Sequence, residues 1–171
     1  MKAIIAYSDL DTETCTALVT MYKYAVVPDS SIVRAKDPFF KPDDGEWRGL
    51  PLHGVIIDRL GKGISKKYAS RYYNNCLSAV HPYNLNLNNR MEPVIRWSRD
   101  GALVVSPAVP VSGVEKQVLD IIDDIISEVS YNLTLKTGDL VLFGNASKSF
   151  QLLNKSTDYM IPSYAGFPDL S

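Results

Sequence analysis

One stretch constrains the fold more than any other. From Ser112 to Ser130 the sequence SGVEKQVLDIIDDIISEVS carries Val114, Val118, Ile121, Ile122, Ile125, Ile126 and Val129 at i, i+4, i+7, i+8 spacing. That spacing predicts a helix with one continuous apolar stripe, which needs an apolar surface to lie on. Ser112 and Glu115 have the S-x-x-E spacing of a capping box and are expected to start it. Lys116, Asp120, Asp123, Asp124 and Glu128 fall off the stripe. The acidic run among them is expected to be a solvated face rather than a metal cluster.

The rest of the chain offers short β-compatible runs. KAIIAY (Lys2 to Tyr7), a strand at about Leu52 to Asp58, ALVVS (Ala102 to Ser106) and Leu140 to Phe143 are the strand expectations. Cys15, Leu18, Val19 and Tyr22 recur at helical spacing behind Asp11, which would cap that helix. Ser65 is expected to cap another, with Tyr68, Ala69, Tyr72, Tyr73 and Cys76 on one face. Prolines and acids between Pro28 and Gly45 predict turn-rich chain, and PYNLNLNNR (Pro82 to Arg90) predicts a loop. Lys148 to Ser171 holds one or two further strand candidates. These elements sum to a strand-rich α+β fold with two or three helices. No repeat or linker splits the 171 residues, so residues 1–171 are expected to be a single domain.

Bulk properties exclude several functions. A net charge of -1 gives no overall electrostatic footprint for nucleic acid or an anionic membrane. No run approaches the ~20 apolar residues needed to cross a bilayer, and the apolar start of MKAIIAYSDLDTE is too short for a signal peptide. A cytoplasmic location is therefore expected. Cys15 and Cys76 form neither a metal-type cluster nor a disulfide framework and are expected to be buried free thiols. His53 and His81 lie in no zinc-type spacing, and His53 is expected to be an ordinary surface or core polar residue. GKGIS lacks the upstream glycine of a phosphate loop and predicts a turn between a strand and a helix cap. Ser147 and Ser149 have no nucleophile-elbow context. Composition and spacing alone assign no chemistry.

Several stretches together resemble the fumarylacetoacetate hydrolase family, especially its short single-domain bacterial members. MKAIIAY is similar to the family's opening strand. PDSSIVRAKDPFFKPD is similar to its K-P-D-[ST]-A-L-L and N-P-F segment. VIIDRLGKGISKKYASRYYNN resembles its strand, glycine turn and helix, RDGALVVS its F-D-x-S region, and DIISEVSYNLTLKTGDLVLFG its last helix and G-D strand. The five occur in family order from Met1 to about Gly144. The resemblance implies the family's β-roll, trimmed by a hairpin before Val114 and in its last strands, and a homodimer or a pairing with an active relative.

It also implies where a metal centre would sit. Family members hold magnesium or manganese with two glutamates, two residues apart on one strand, and a later aspartate. Hard cations take such oxygen ligands. Counted without a gap, the glutamates fall on Leu50 and Leu52 and the aspartate on His81. Leucine coordinates nothing. The family's two lysines fall near Trp97 and Val27. Its T-G-T-P turn becomes FGNAS (Phe143 to Ser147), and its early polar segment with the acid-base histidine becomes YSDLDTE.

The resemblance thus implies a catalytically inactive homologue, a binding or scaffold protein without a metal cofactor. The competing expectation is a hydrolase, isomerase or decarboxylase of small keto or β-diketo acids at a rebuilt site, built from His81, Arg96, Arg99 and Asp100. A one-residue slip would instead put His53 beside His81 as a two-histidine metal site, at the cost of turning the whole strand over. Chance matches on an unrelated fold are the remaining reading.

Overall fold

The computed structural model describes residues 1–8, 22–35, 45–85, 92–152 and 166–168, with 92–94 by backbone alone. Its strands are β1 (Lys2–Ser8), β2 (Lys23–Pro28), β3 (Ile32–Arg34), β4 (Trp47–Ile57), β5 (Tyr73–Asn84), β6 (Leu103–Val105), β7 (Val109–Pro110), β8 (Leu140–Asn145) and β9 (Phe150–Gln151). The helices are α1 (Lys66–Ala69), α2 (Glu92–Ser98) and α3 (Lys116–Asn132). The strands form one mixed sheet in the order β2-β1-β8-β4-β5-β6-β3, with β7 added to β5 and β9 to β4. Among the described residues it is a strand-rich half-barrel with three helices, the expected α+β class.

Alternation along the strands divides the interior into two layers. Ile4, Ala6, Val55, Ile57, Cys76, Val141 and Phe143 face α3 and pack on Val118, Ile122, Ile125, Ile126 and Val129. The apolar stripe read from the sequence is the seam of that layer. Ala3, Ile5, Val27, Leu50, Leu52, Leu77, Ala79, Leu140 and Leu142 form the opposite layer, with Ala102, Leu103 and the partly buried Tyr7, Tyr83 and Trp97. Each fully buried Leu or Ile contributes about 1.5–3 kcal/mol relative to leaving it in water. Both faces are therefore needed to hold the sheet.

The long antiparallel pair of β4 and β5 is the centre of the sheet, and two features shape it. Gly54 lies where β8 crosses closest: a Cβ there would stand 2.0 Å from the Val141 carbonyl oxygen. Only glycine lets these backbones approach so nearly. The second is a bulge. Ile57 pairs with Tyr73 but Ile56 with Asn75, so Asn74 is an extra residue in β5.

That bulge corrects the expectation of a helix running from Ser65 to Cys76. The α-helix ends at Ala69, a 3-10 turn spans Ser70–Tyr72, and the strand begins at Tyr73. Tyr73 and Cys76 face α3 together because the inserted Asn74 shifts the period of 2 by one residue. A bulged strand thereby reproduces a helix-like spacing of three.

Other boundaries also move. β4 starts at Trp47, ahead of the expected Leu52, although it contains Gly49 and Pro51. Pro51 falls between the end of the β8 pairing at His53 and the start of the β9 pairing at Gly49. A residue without an N–H is tolerated there because that side of the strand has no ladder partner among the described residues. β5 continues through Pro82 to Asn84, into what the asparagine-rich composition marked as loop. The capping box is not formed: Glu115 is the N-cap, with no side-chain cap bond, and Ser112 lies in a preceding 3-10 turn. The Glu115 carbonyl accepts from Val118 N and Leu119 N instead.

The acidic face of α3 is partly used to fasten the layers. Tyr73 Oη donates to Asp123 at 2.9 Å, Tyr24 Oη to Glu128 at 2.6 Å, and Lys66 Nζ pairs with Asp124 at 2.7 Å. GKGIS is the expected turn, and its amides are engaged. Gly61 N donates to Leu135 O, Gly63 N to Ser130 O, and Ile64 N to Ser130 Oγ at 2.8 Å. Buried Asp139 accepts from Lys2 N at 3.0 Å, from Lys136 N at 2.8 Å and from Lys2 Nζ, fastening the start of β1 to that of β8. Cys76 is a buried free thiol. Cys15 and the helix expected behind Asp11 lie outside the described residues, as do 36–44, 86–91 and most of the tail.

Candidate functional site

Register decides which side chains meet. Leu50 pairs directly with His81, and Leu52 with Ala79, across β4 and β5. Directly opposed residues of an antiparallel pair point to the same face. The three positions that the resemblance links to metal ligands thus lie side by side in the layer opposite α3. Leu50 is 3% exposed, Leu52 0% and His81 1%. Two isobutyl groups and one imidazole occupy the place where three carboxylates would be needed.

The His81 ring is held on several sides. Its Nδ1–H donates to the Ala102 carbonyl at 2.7 Å, since a carbonyl can only accept. Nε2 is therefore a lone-pair acceptor, and it is buried with no partner among the described residues. Trp97 of α2 stacks on the ring at 4.1 Å and 13°, and Tyr83 lies nearly parallel at 5.8 Å. Tyr7 of β1 closes on Trp97 at 5.3 Å. Burial pushes the His81 pKa down to about 3, and the charges of Arg99 and Arg96 act in the same direction. The ring is neutral at physiological pH.

Two arginines of the expected polar set do approach. Arg96 lies over the Tyr83 ring at 5.5 Å, and Arg99 over Trp47 at 4.6 Å. Arg99 also donates to the Pro82 carbonyl at 2.7 Å and to the Asp100 carbonyl at 3.3 Å. Asp100 itself is exposed and meets this cluster through its backbone. His81, Arg96 and Arg99 are thus brought together around aromatic rings, and the Asp100 side chain stands apart. Trp47, Trp97 and Tyr83 are the members that reasoning about polar groups missed. Ring stacking between residues far apart in the chain leaves no spacing to read.

His53 is elsewhere. It pairs with Ser78 on the α3 face of the sheet, so the two imidazoles lie on opposite faces and share no site. Its Nδ1 is 3.2 Å from Ser78 Oγ, and its ring sits 5.1 Å from Phe167 and 6.4 Å from Phe143. Burial lowers its pKa to about 4.

The donor set does not fit a hard divalent cation. Such an ion takes six or more oxygens, and here the central positions offer hydrocarbon and one neutral nitrogen. Among the described residues no group of three or more His, Cys, Asp or Glu side chains gathers into a ligand set. Three further positions at or near which the resemblance expects polar site groups fall in the same apolar layer. Val27 is buried in it, and Trp97 and Ala146 pack against it.

No protein-family model matches the sequence, and no curated protein matches it. Solved structures do. A protein from Yersinia pestis CO92 described as of the fumarylacetoacetate hydrolase family matches with a TM-score of 0.71 at 17% identity, over 89% of this chain and 83% of that one. Fumarylpyruvate hydrolase from Pseudomonas aeruginosa, solved with Mn2+ and pyruvate, matches with a TM-score of 0.67 at 14% identity, over 90% of this chain and 81% of that one. 2-Hydroxyhepta-2,4-diene-1,7-dioate isomerase from Mycobacterium marinum matches with a TM-score of 0.68 at 16% identity, over 88% of this chain and 66% of that one. The fold is that of the fumarylacetoacetate hydrolase family. No helix among the described residues is long and apolar enough to cross a membrane.

Proposed function

We propose that this chain is a single-domain fumarylacetoacetate hydrolase homologue, of the short bacterial kind, whose metal centre has become part of its core. On this reading it is a cytoplasmic binding or scaffold protein without a metal cofactor, acting as a homodimer or paired with an active relative. Fold alone carries no activity, so the argument rests on the site. The observation that carries it is the concerted character of the replacements. Leu50, Leu52 and Val27 are buried in one layer, Trp97 and Ala146 pack on it, and Trp97 covers His81. An enzyme that had moved its site would keep convergent polar groups in an accessible pocket.

A second reading has one observation in its favour. His81 Nε2 is a buried acceptor without a partner among the described residues, with Arg96 and Arg99 nearby. A rebuilt site acting on small keto or β-diketo acids as a hydrolase, isomerase or decarboxylase would use that lone pair as a base. Burial works against it, because an imidazole with a pKa near 3 is a weak proton acceptor at neutral pH.

The test is turnover. Purified protein is incubated with acylpyruvates, fumarylpyruvate and oxaloacetate, with and without Mn2+, beside an active family member. The proposal expects no turnover above the uncatalysed rate in either condition. Turnover that is lost in His81→Asn and kept in Asp100→Asn would establish the rebuilt site instead.

A further inference from the structure

On the other face of the molecule, the segment from Arg59 to Arg71, RLGKGISKKYASR, holds five cations and no carboxylate in a chain whose net charge is only -1. It forms the glycine turn and α1, and both are fastened to α3. Gly61 and Leu135 exchange backbone hydrogen bonds, Gly63 N donates to Ser130 O at 2.8 Å, and Lys66 pairs with Asp124. Arg59 pairs with its neighbour Asp58 at 3.4 Å. Lys62, Lys67 and Arg71 are exposed and form no ion pair among the described residues.

Apolar surface is concentrated in the same place. Leu60 is 69% exposed, Tyr68 42%, Tyr131 78% and Leu133 38%. These lie on the turn, on α1 and at the end of α3, the segments joined by the Gly61–Leu135 bridge and the Gly63–Ser130 bond. Lys67 and Arg71 both lean on the Tyr68 ring, at 4.7 and 4.8 Å. Large apolar side chains left in water and rimmed by unpaired cations mark an interaction surface.

We propose that the glycine turn, α1 and the end of α3 form a docking surface for an acidic segment of a protein partner, one that carries apolar side chains among its carboxylates. Charge complementarity selects an anion, and Leu60 and Tyr131 select a partner with hydrocarbon to bury. The flanks limit its extent. Asp58, Asp120, Asp123 and Asp124 lie beside the basic strip on the loop after β4 and along α3, so a long polyanion or a broad anionic bilayer would meet carboxylates as well as cations. A short segment meets the cations alone. The face of Tyr68 is already occupied by two cations, which leaves it a poor platform for stacking a base. This surface lies on the α3 side of the sheet and the converted centre on the other, so the inference goes beyond the proposed function and does not depend on it.

The experiment is fluorescence anisotropy with the full chain. The probe is a labelled peptide in which leucines are spaced along a run of glutamates. Parallel titrations use a single-stranded oligonucleotide and phosphatidylserine-containing vesicles. The peptide is expected to bind, and Lys62→Glu/Lys67→Glu/Arg71→Glu is expected to weaken it by about tenfold or more. Leu60→Ser/Tyr131→Ser is expected to weaken it as well, and a pure glutamate peptide is expected to bind less tightly than the mixed one. All five side chains are exposed, so melting temperatures should stay near that of the parent and separate lost binding from lost folding. Absence of peptide binding, peptide binding unchanged in the charge-reversed variant, or tighter binding to oligonucleotide or vesicles would each overturn the proposal.

Discussion

At the scale of single residues, the two histidines are the most informative groups. Both are buried and neutral, with pKa values lowered to about 4 for His53 and about 3 for His81. The unfolded chain protonates its imidazoles near the ordinary value of about 6.5. Between that value and the folded pKa the unfolded state binds more protons, so stability falls as pH falls. Each histidine should contribute a slope of about 1.4 kcal/mol per pH unit as pH drops from about 6.5 toward 4. Urea unfolding at a series of pH values measures it, and His53→Gln should remove one histidine's share. A slope of zero across this window would mean that neither ring is held neutral by burial.

Trp97 has a separable role, because it covers His81. Trp97→Ala is expected to cost about 2–4 kcal/mol of stability and to let the His81 pKa climb back toward its ordinary range. A proton NMR titration of the His81 ring distinguishes this from simple loss of packing. Leu52→Glu places a carboxylate at a fully buried position of the same layer. Without a cation to meet it, the change should destabilise by about 3–5 kcal/mol, read from the shift in urea midpoint.

At the scale of elements, the β4–β5 pair explains what could be read in advance and what could not. β1, β6 and β8 are legible as short apolar runs, and α3 because its stripe keeps one period through its length. The start of β4 was hidden behind Gly49 and Pro51, which signal a break unless the missing ladder partner is known. Tyr73 and Cys76 read as helical in the sequence because the Asn74 bulge gives a strand a helix-like spacing. The positions of Leu50, Leu52 and His81 became meaningful only through resemblance to a family, since leucines in a strand announce nothing by themselves. The indole on His81 was not legible at all. Gly54 is the sharpest probe of this element: Gly54→Ala would drive a Cβ to 2.0 Å from the Val141 oxygen. A loss of about 3 kcal/mol or more, or failure to fold, is expected, whereas a melting temperature within a degree or two of the parent would contradict the crossing.

At the scale of the whole molecule, the two faces of one sheet have separate tasks. The α3 layer presents the basic turn, with Asp123 joining the helix to β5 and Ser130 and Asp124 joining it to the glycine turn and α1. The opposite layer has the chemistry of a core at the positions that the resemblance links to metal ligands. On the proposed reading these positions hold no metal. Calorimetric titration of Mn2+ into chelator-stripped protein is the direct check. No saturable binding tighter than millimolar is expected. Micromolar binding at one ion per chain would contradict it, and would mean that oxygen ligands from elsewhere in the chain complete a site beside His81.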